Sequence, residues 1–137
     1  MPSLVVPIQL RWSDMDVFAH INNVAYATYM EMARTSLLEA HGFKAVTDEL
    51  GHMVVRNEID YVWQLDYRPE PVDMEIWIES LASSSYVIGY ELRDSDHVYM
   101  RARTKMVCMD MRTNRPTRTP ENLRLQLESI MRDTPDN

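Results

Sequence analysis

The stretch RWSDMDVFAHINNVAYATYMEMARTSLLEA, residues 11–40, is the most informative part of the chain about its fold, because its second half carries a helical pattern. Apolar side chains recur there at steps of three and four: Tyr26, Tyr29, Met30, Ala33, Leu37 and Ala40. Asn22 or Asn23 is suited to cap this helix, because an asparagine oxygen can accept a hydrogen bond from an unpaired N–H of the first turn. Gly42 provides the stop. We therefore predict a helix over about 23–41.

The segments on both sides of this helix predict strands. LVVPIQLRW (4–12) is short and apolar, and Pro7 favours an edge or bulge position. Apolar residues alternate with polar ones in MVVRNEIDYVW (53–63), PVDMEIWIES (71–80), SYVIGYELRD (85–94) and VYMRARTKMVCMDM (98–111). Such alternation is typical of an antiparallel sheet with one face on a core. In the segment 53–63 the predicted inward residues are Met53, Val55, Asn57, Ile59 and Tyr61.

The C-terminal stretch predicts a short helix followed by a frayed tail. Thr119 is placed as its N-cap and Pro120 as its first residue, and one face carries Leu123, Leu127 and Ile130. The fold class expected from these patterns is α+β, with about five to six antiparallel strands and one long helix.

Length, charge and cysteine content limit the class of protein. A chain of 137 residues has the length of one domain, so we expect a single domain over 1–137. The net charge of −7 argues against nucleic acid as a partner, since phosphates require clustered cations. No signal segment or membrane-spanning run is recognisable, so we expect a cytoplasmic protein without a membrane partner. The lone Cys108 lies in an apolar pattern and is expected to be a core thiol.

Asp16, His20 and Asn23 lie within eight residues, in the loop before the predicted helix. A helix N-terminus carries unpaired N–H groups and partial positive charge, so it can hold a developing oxyanion. A partly buried carboxylate beside it can act as nucleophile or general base. Taken singly, the residues also fit structural roles: Asp14 and Asp16 as turn caps, His20 as a hydrogen-bonded structural histidine, and the asparagines as helix caps.

Taken together, RWSDMDVFAHINNVAYATYMEMAR resembles the opening of hotdog-fold acyl thioesterases, a group that includes 4-hydroxybenzoyl-CoA thioesterase and the acyl-ACP thioesterases. The residues that carry the resemblance are Trp12, Asp14, Asp16, His20, Asn22, Asn23, Tyr26, Glu31, Ala33 and Arg34. The family resemblance implies a curved antiparallel sheet of five to six strands wrapped around one long helix. It extends over nearly the whole chain.

The resemblance also implies roles for the loop residues. Asp16 corresponds to the catalytic carboxylate, and a backbone N–H of Asn23 or a neighbour would polarise the thioester carbonyl. His20 stands where a histidine takes part in the acyl-ACP branch. That branch has asparagine two residues after the aspartate, whereas this chain has Phe18. An acyl-CoA is therefore favoured over an acyl-ACP.

Further expectations concern substrate and assembly. Residues expected to contact substrate are Asn22, Val24, Tyr26, Arg68 and Ser85. Arg68 is a candidate for the CoA phosphates, the alternative being a solvated loop arginine. No metal and no cofactor are expected, with CoA being part of the substrate. The family implies a homodimer as the minimal unit, with a homotetramer plausible, and a role in fatty acid metabolism. A hotdog hydratase or dehydratase and a non-catalytic acyl-binding module are the alternatives.

Overall fold

The computed structural model describes residues 3–44 and 46–132. The strands are β1 (Leu4–Ile8), β2 (Leu50–Tyr61), β3 (Val72–Leu81), β4 (Ser85–Arg93), β5 (Val98–Asp110) and β6 (Arg115–Pro116). The helices are α1 (Asn23–Ala40) and α2 (Glu121–Glu128), and a single 3-10 turn covers Trp12–Asp14. The predicted frayed tail lies outside the described residues.

The strands form one antiparallel sheet in the order β1-β3-β4-β5-β2, with β6 paired to β5. The predicted α+β class is confirmed, and so is the edge position of Pro7, because β3 is the only partner of β1 among the described strands. Register shifts interrupt three of the strand pairs, which lets the sheet curve around α1. The other edge of the sheet is β2.

Helix α1 begins and ends as the sequence predicts. The Asn22 side chain accepts a hydrogen bond from Val24 N–H at 2.9 Å, and Gly42 takes a left-handed φ of 80° after the last turn. The face toward the sheet buries Tyr26, Tyr29, Met30, Ala33, Leu37 and Leu38. The prediction for Ala40 is wrong: it is exposed, because Leu38 takes the inward position in the last turn.

The first half of β2 faces opposite to the prediction. Val54 pairs with Met106 and Arg56 pairs with Lys105, so Val55 is an extra residue that forms a bulge. One inserted residue reverses the alternation. His52 and Val54 therefore face inward instead of Met53 and Val55, as their partners Cys108 and Met106 do. Beyond the bulge the inward and outward residues alternate as predicted. The side-chain oxygen of Asn57 accepts a hydrogen bond from the Thr104 hydroxyl at 2.6 Å.

The core lies between α1 and the inner face of the sheet, and α2 closes one end of it. Cys108 is fully buried, as predicted. Leu123, Leu127 and Ile130 are buried as predicted. The predicted N-cap is wrong by one residue, since Pro120 occupies that position. The Thr119 hydroxyl is buried 3.4 Å from Cys108 Sγ, so it does not cap the helix.

The outer face of the sheet carries cross-strand ion pairs, such as Arg101 to Glu91 at 3.1 Å. Trp77 also lies on this face, buried under the Arg132 guanidinium, which is 3.8 Å from a ring centroid. A Cβ atom on Gly89, opposite Trp77, would stand 2.4 Å from the indole. Glycine is therefore required at position 89 for this packing. Neither described helix combines the length and apolar composition needed to cross a bilayer.

Candidate active site

The loop between β1 and α1 is fixed by hydrogen bonds within itself and to the segment after β2. Met15 and Ile21 form a bridge, and Asp16 N–H donates to His20 C=O at 2.9 Å. Ile21 N–H donates to Leu65 C=O at 2.7 Å, which ties the loop to the segment after β2. Ala19 adopts a left-handed φ of 62° at the tip. The loop thus holds Asp16 and His20 in fixed positions at the start of α1.

Asp14 anchors this loop to the helix. Its carboxylate is 9% exposed, accepts a hydrogen bond from the Tyr29 hydroxyl at 2.7 Å and pairs with Arg11 at 3.0 Å. Burial by itself would raise the pKa of Asp14, but the hydrogen bonds from Arg11 and Tyr29 outweigh it and hold the pKa below its ordinary value. Asp14 is therefore a structural carboxylate. It binds the Arg11 guanidinium and the Tyr29 hydroxyl, whereas the alternative in the sequence was a turn cap.

Asp16 is half-buried, and only one of its oxygens is occupied. Oδ1 accepts from Phe18 N–H at 2.9 Å, the turn-capping contact that the structural alternative predicts. Within the described part of the chain, Oδ2 has no donor. The carboxylate lines a pocket of about 440 Å³ together with Phe18, His20, Ile21, Asn22, Asn23, Tyr26, Tyr61, Val62, Trp63 and Gln64. A free carboxylate oxygen in such a pocket is available to a substrate.

His20 lines the same pocket and has a carboxylate partner that the sequence analysis missed. Its Nδ1 lies 2.6 Å from Asp66 Oδ1. The Asp66 side chain is 70% exposed and follows β2, so no local pattern marks it. With Nδ1 held by the carboxylate, Nε2 is the nitrogen left for a substrate or a water. Tertiary structure alone brings these two residues together.

One backbone N–H at the helix start is free to donate. Val24 N–H is bound by Asn22 Oδ1, and Ala25 N–H donates to Asn22 C=O at 2.9 Å. Asn23 N–H has no acceptor among residues 3–44 and 46–132. Asn22 and Asn23 both line the pocket. Asp16 and Asn23, the residue with this free N–H, therefore line one cavity.

Aromatic side chains form the apolar wall of this pocket. Tyr26 is buried, and its ring meets that of Tyr61 edge-on at 5.3 Å. Burial, with the nearby phenols of Tyr61 and Tyr99, raises the pKa of Tyr26 to about 12, so its hydroxyl keeps its proton at neutral pH. Phe18 and Trp63 are exposed at the rim. Such a wall suits the hydrocarbon part of a ligand.

Three residues expected to contact substrate lie outside the pocket. Val24 is exposed on the first turn of α1. Arg68 pairs with Asp94 at 2.8 Å in a neighbouring cavity of about 250 Å³ that shares Trp63 and Gln64. Ser85 pairs with Val107, which in turn pairs with Met53, so Ser85 lies toward the end of the sheet away from Tyr61. Of the predicted site residues, those that line one pocket within a single chain are Asp16, His20, Asn22, Asn23 and Tyr26.

In the described ranges, no three His, Cys, Asp or Glu side chains lie close enough together to hold a metal ion. The polar residues that line the Asp16 pocket include a carboxylate, Asp16, and an imidazole, His20.

Known proteins share the fold and part of the sequence of this chain. Residues 10–127 match the family described as the Thioesterase-like superfamily. The PA5185 protein of Pseudomonas aeruginosa is 26% identical, with a TM-score of 0.86 over 95% of this chain and 92% of that one. The PA2801 protein, a candidate thioesterase from the same organism, is 29% identical, with a TM-score of 0.82 over 88% and 95%.

A more distant structure shares the fold. It is the DHNA-CoA thioesterase of Staphylococcus aureus, at 22% identity and a TM-score of 0.81 over 94% of this chain and 89% of that one. No curated protein sequence matches this chain at a significant level.

Proposed function

The chain belongs to the thioesterase-like superfamily, and on that premise we propose that it hydrolyses the thioester bond of an acyl-CoA to a free carboxylic acid and CoA. The observation that carries the proposal is the free Oδ2 of Asp16, in a pocket that also contains the unpaired N–H of Asn23. The hotdog fold expected from the family resemblance is confirmed.

A thioester needs only a modest catalyst, because a thiol with a pKa near 8.5 leaves as the thiolate. In the proposed reaction Asp16 either attacks the carbonyl carbon or removes a proton from an attacking water. Attack by Asp16 breaks the C–S bond, releases CoA thiolate and forms a mixed anhydride that water then hydrolyses. The Asn23 N–H stabilises the negative charge that develops on the carbonyl oxygen.

In this proposal His20 positions the water or the thioester. Its partner Asp66 fixes the ring through Nδ1, as a carboxylate commonly does for a functional imidazole. Asn22 does not contact the substrate in this proposal. Its side-chain oxygen accepts from Val24 N–H, and the neighbouring Asn23 N–H stays available to the substrate. Arg68, beside Trp63 in the next cavity, would have to exchange Asp94 for a CoA phosphate to bind the nucleotide end.

We further propose a homodimer formed along β2, as the minimal unit from which a homotetramer can be built. This edge strand and the residues after it leave Met53, Val55, Tyr61, Val62 and Trp63 exposed. A long apolar edge normally has a partner, since its backbone groups would otherwise remain unpaired. Antiparallel pairing of two β2 strands about a twofold axis places the Met53 end of one beside the Tyr61 end of the other. The acyl slot would then lie between two chains.

The test is release of free thiol from a panel of acyl-CoA and acyl-ACP thioesters, with enoyl-CoA hydration followed in parallel. We expect thiol release from acyl-CoA and faster turnover than with the acyl-ACP of the same chain length. Hydration without thiol release would favour a hydratase. Tight binding without either reaction would favour a non-catalytic module, against which the free Asp16 carboxylate argues.

A further inference from the structure

A second pocket, about 240 Å³ in volume, lies between α1 and β2 and has no part in the mechanism above. Its apolar lining consists of Leu38, Met53, Val54 and Met106. Its polar lining consists of Glu31, Arg34, Thr35 and His52. The space equals that of about eight water molecules. An apolar cavity with a few polar groups in its wall is the usual form of a small-molecule site.

Arg34 contributes a charge that the described residues leave poorly paired. Its side chain is only 12% exposed, and its one ion pair is with Glu31 at 3.9 Å, whose side chain is 71% exposed. The buried Nη1 atom has no hydrogen-bond partner in the part of the chain that the structure describes. Burying a cation is costly unless an anion and good hydrogen bonds compensate for it. Among the described residues, Arg34 thus has a neutral hydroxyl neighbour, Tyr90, and a distant exposed carboxylate, Glu31.

His52 contributes an uncharged donor that also lacks a partner. It is 7% exposed, because the β2 bulge turns it inward. Its Nδ1 lies 3.0 Å from the Tyr86 hydroxyl and 3.8 Å from Cys108 Sγ. Burial raises the pKa of both Tyr86 and Cys108, so each keeps its proton and can donate it to Nδ1.

When Nδ1 accepts from the Tyr86 hydroxyl, the proton of the neutral His52 ring is on Nε2. Burial lowers the pKa of His52, so the ring stays neutral and carries a single N–H. Nε2 is buried and, among the described residues, has no acceptor. Arg34 and His52, each with a buried nitrogen that has no hydrogen-bond partner among the described residues, both line the cavity, together with Glu31, Thr35 and the apolar side chains. This combination is complementary to a carboxylate at the end of a hydrocarbon segment.

We propose that this pocket binds the far end of the substrate acyl group, and that this end carries a carboxylate that accepts hydrogen bonds from Arg34 and His52. The inference rests on the proposed function and names its substrate class, the CoA monothioesters of dicarboxylic acids. Leu38, Met106 and the inward Val54 hold the hydrocarbon. Glu31 is exposed to solvent, which screens its repulsion of the bound carboxylate.

The position of the pocket relative to Asp16 follows from the proposed dimer. The pocket lies at the His52 end of β2, whereas Tyr61 and Trp63, at the other end, line the Asp16 pocket. Antiparallel pairing of two β2 strands brings opposite ends together. A substrate with its thioester at Asp16 of one chain would thus place its carboxylate against Arg34 of the other.

The first test compares two thioesters of matched shape with the wild-type protein: glutaryl-CoA and 5-methylhexanoyl-CoA, in which an isopropyl group replaces the carboxylate. We expect kcat/KM to favour glutaryl-CoA by about tenfold or more, because unpaired buried donors disfavour the neutral analogue. Equal rates would overturn this inference and leave thioester hydrolysis standing. Failure to hydrolyse any acyl-CoA would overturn both.

The second test assigns the preference to residues. Arg34→Met should lower kcat/KM for glutaryl-CoA by about tenfold or more and change the rate with 5-methylhexanoyl-CoA far less. Arg34→Lys should restore part of the difference, since it keeps the charge and loses the fork. His52→Leu provides an independent variant if Arg34→Met does not fold. An equal loss with both thioesters in every folded variant would overturn the assignment.

The third test asks whether the two pockets act across the dimer. Chains carrying Asp16→Asn and chains carrying Arg34→Met are coexpressed, and the mixed dimer is isolated through two different tags. Each mixed dimer holds one intact site if the pockets belong to different chains, so glutaryl-CoA activity should return to roughly half of the wild-type value. No recovery would show that the two residues do not serve one substrate across the interface.

Discussion

The His20 imidazole and the Asp66 carboxylate, 46 residues apart in the chain, lie 2.6 Å apart from Nδ1 to Oδ1. This relationship gives His20 a defined orientation in a loop where Phe18 replaces the asparagine of the acyl-ACP branch. Asp66 thereby becomes a candidate positioning residue, one that acts through His20 and does not itself line the Asp16 pocket.

Asp66→Asn should lower kcat by about tenfold, because the amide still contacts the ring but no longer stabilises the orientation with a charge. Since the Asp66 side chain is 70% exposed, thermal stability should stay unchanged. Steady-state kinetics of Asp66→Asn, His20→Ala and the double variant check this. If the two losses multiply in the double variant, the residues act independently and the interpretation is wrong.

Asp16→Asn should lower turnover of acyl-CoA at least about 100-fold while the fold persists. The amide oxygen can still accept from Phe18 N–H, so the loop keeps its turn. At the Oδ2 position an amide NH2 group then replaces the carboxylate oxygen, so the negative charge and the nucleophilic oxygen are both lost. Thiol-release kinetics, with circular dichroism as the fold control, measure this outcome. Wild-type turnover by this variant would disprove the assignment of Asp16.

Asp14→Asn is the matched control, and it should affect stability. The folded-state pKa of Asp14 is lowered, so its contribution to stability is present above the unfolded pKa of about 3.9 and is lost as pH falls through the folded pKa. The variant should therefore unfold more easily at neutral pH and lose less stability than wild type on acidification below about pH 4. Urea unfolding at several pH values measures this, and parallel curves would contradict it.

Gly89→Ala should destabilise the protein by about 1–3 kcal/mol, because the new Cβ would overlap the Trp77 indole. Displacing the indole also disturbs its contact with Arg132, which holds the segment after α2 against β3. Chemical denaturation gives the free energy of unfolding, and Trp fluorescence reports on the indole. Gly42→Ala serves as a comparison, because it has open space around its Cβ and only backbone strain.

Val55→Glu should shift the protein toward monomer, because a charge is placed on the exposed β2 edge that we propose as the dimer interface. Sedimentation velocity at several concentrations measures the effect. Thr47→Glu, in the exposed segment before β2, tests whether an added charge alone changes assembly. A wild-type protein that sediments only as monomer at working concentration would contradict the shared-site arrangement.

The helix, the strand positions and the loop that carries Asp16 can be predicted from local sequence patterns. These features depend on neighbours within a few residues: the Asn22 cap, the spacing of Tyr26 and Tyr29, and the alternation in β3 and β5. Local hydrogen bonding and periodic burial are readable from the chain because they repeat at the period of each element. The resemblance in the same loop anticipated the family.

Which side chains come into contact depends on the folded chain as a whole. The Val55 bulge reverses the first half of β2 and turns His52 into the core, although the local pattern favours Met53 and Val55. Asp66 reaches His20 because Ile21 N–H binds Leu65 C=O, a contact between two segments far apart in the chain. Pairing between strands is selected by the whole sheet and its core, so one inserted residue or one long-range hydrogen bond changes it without a local signal.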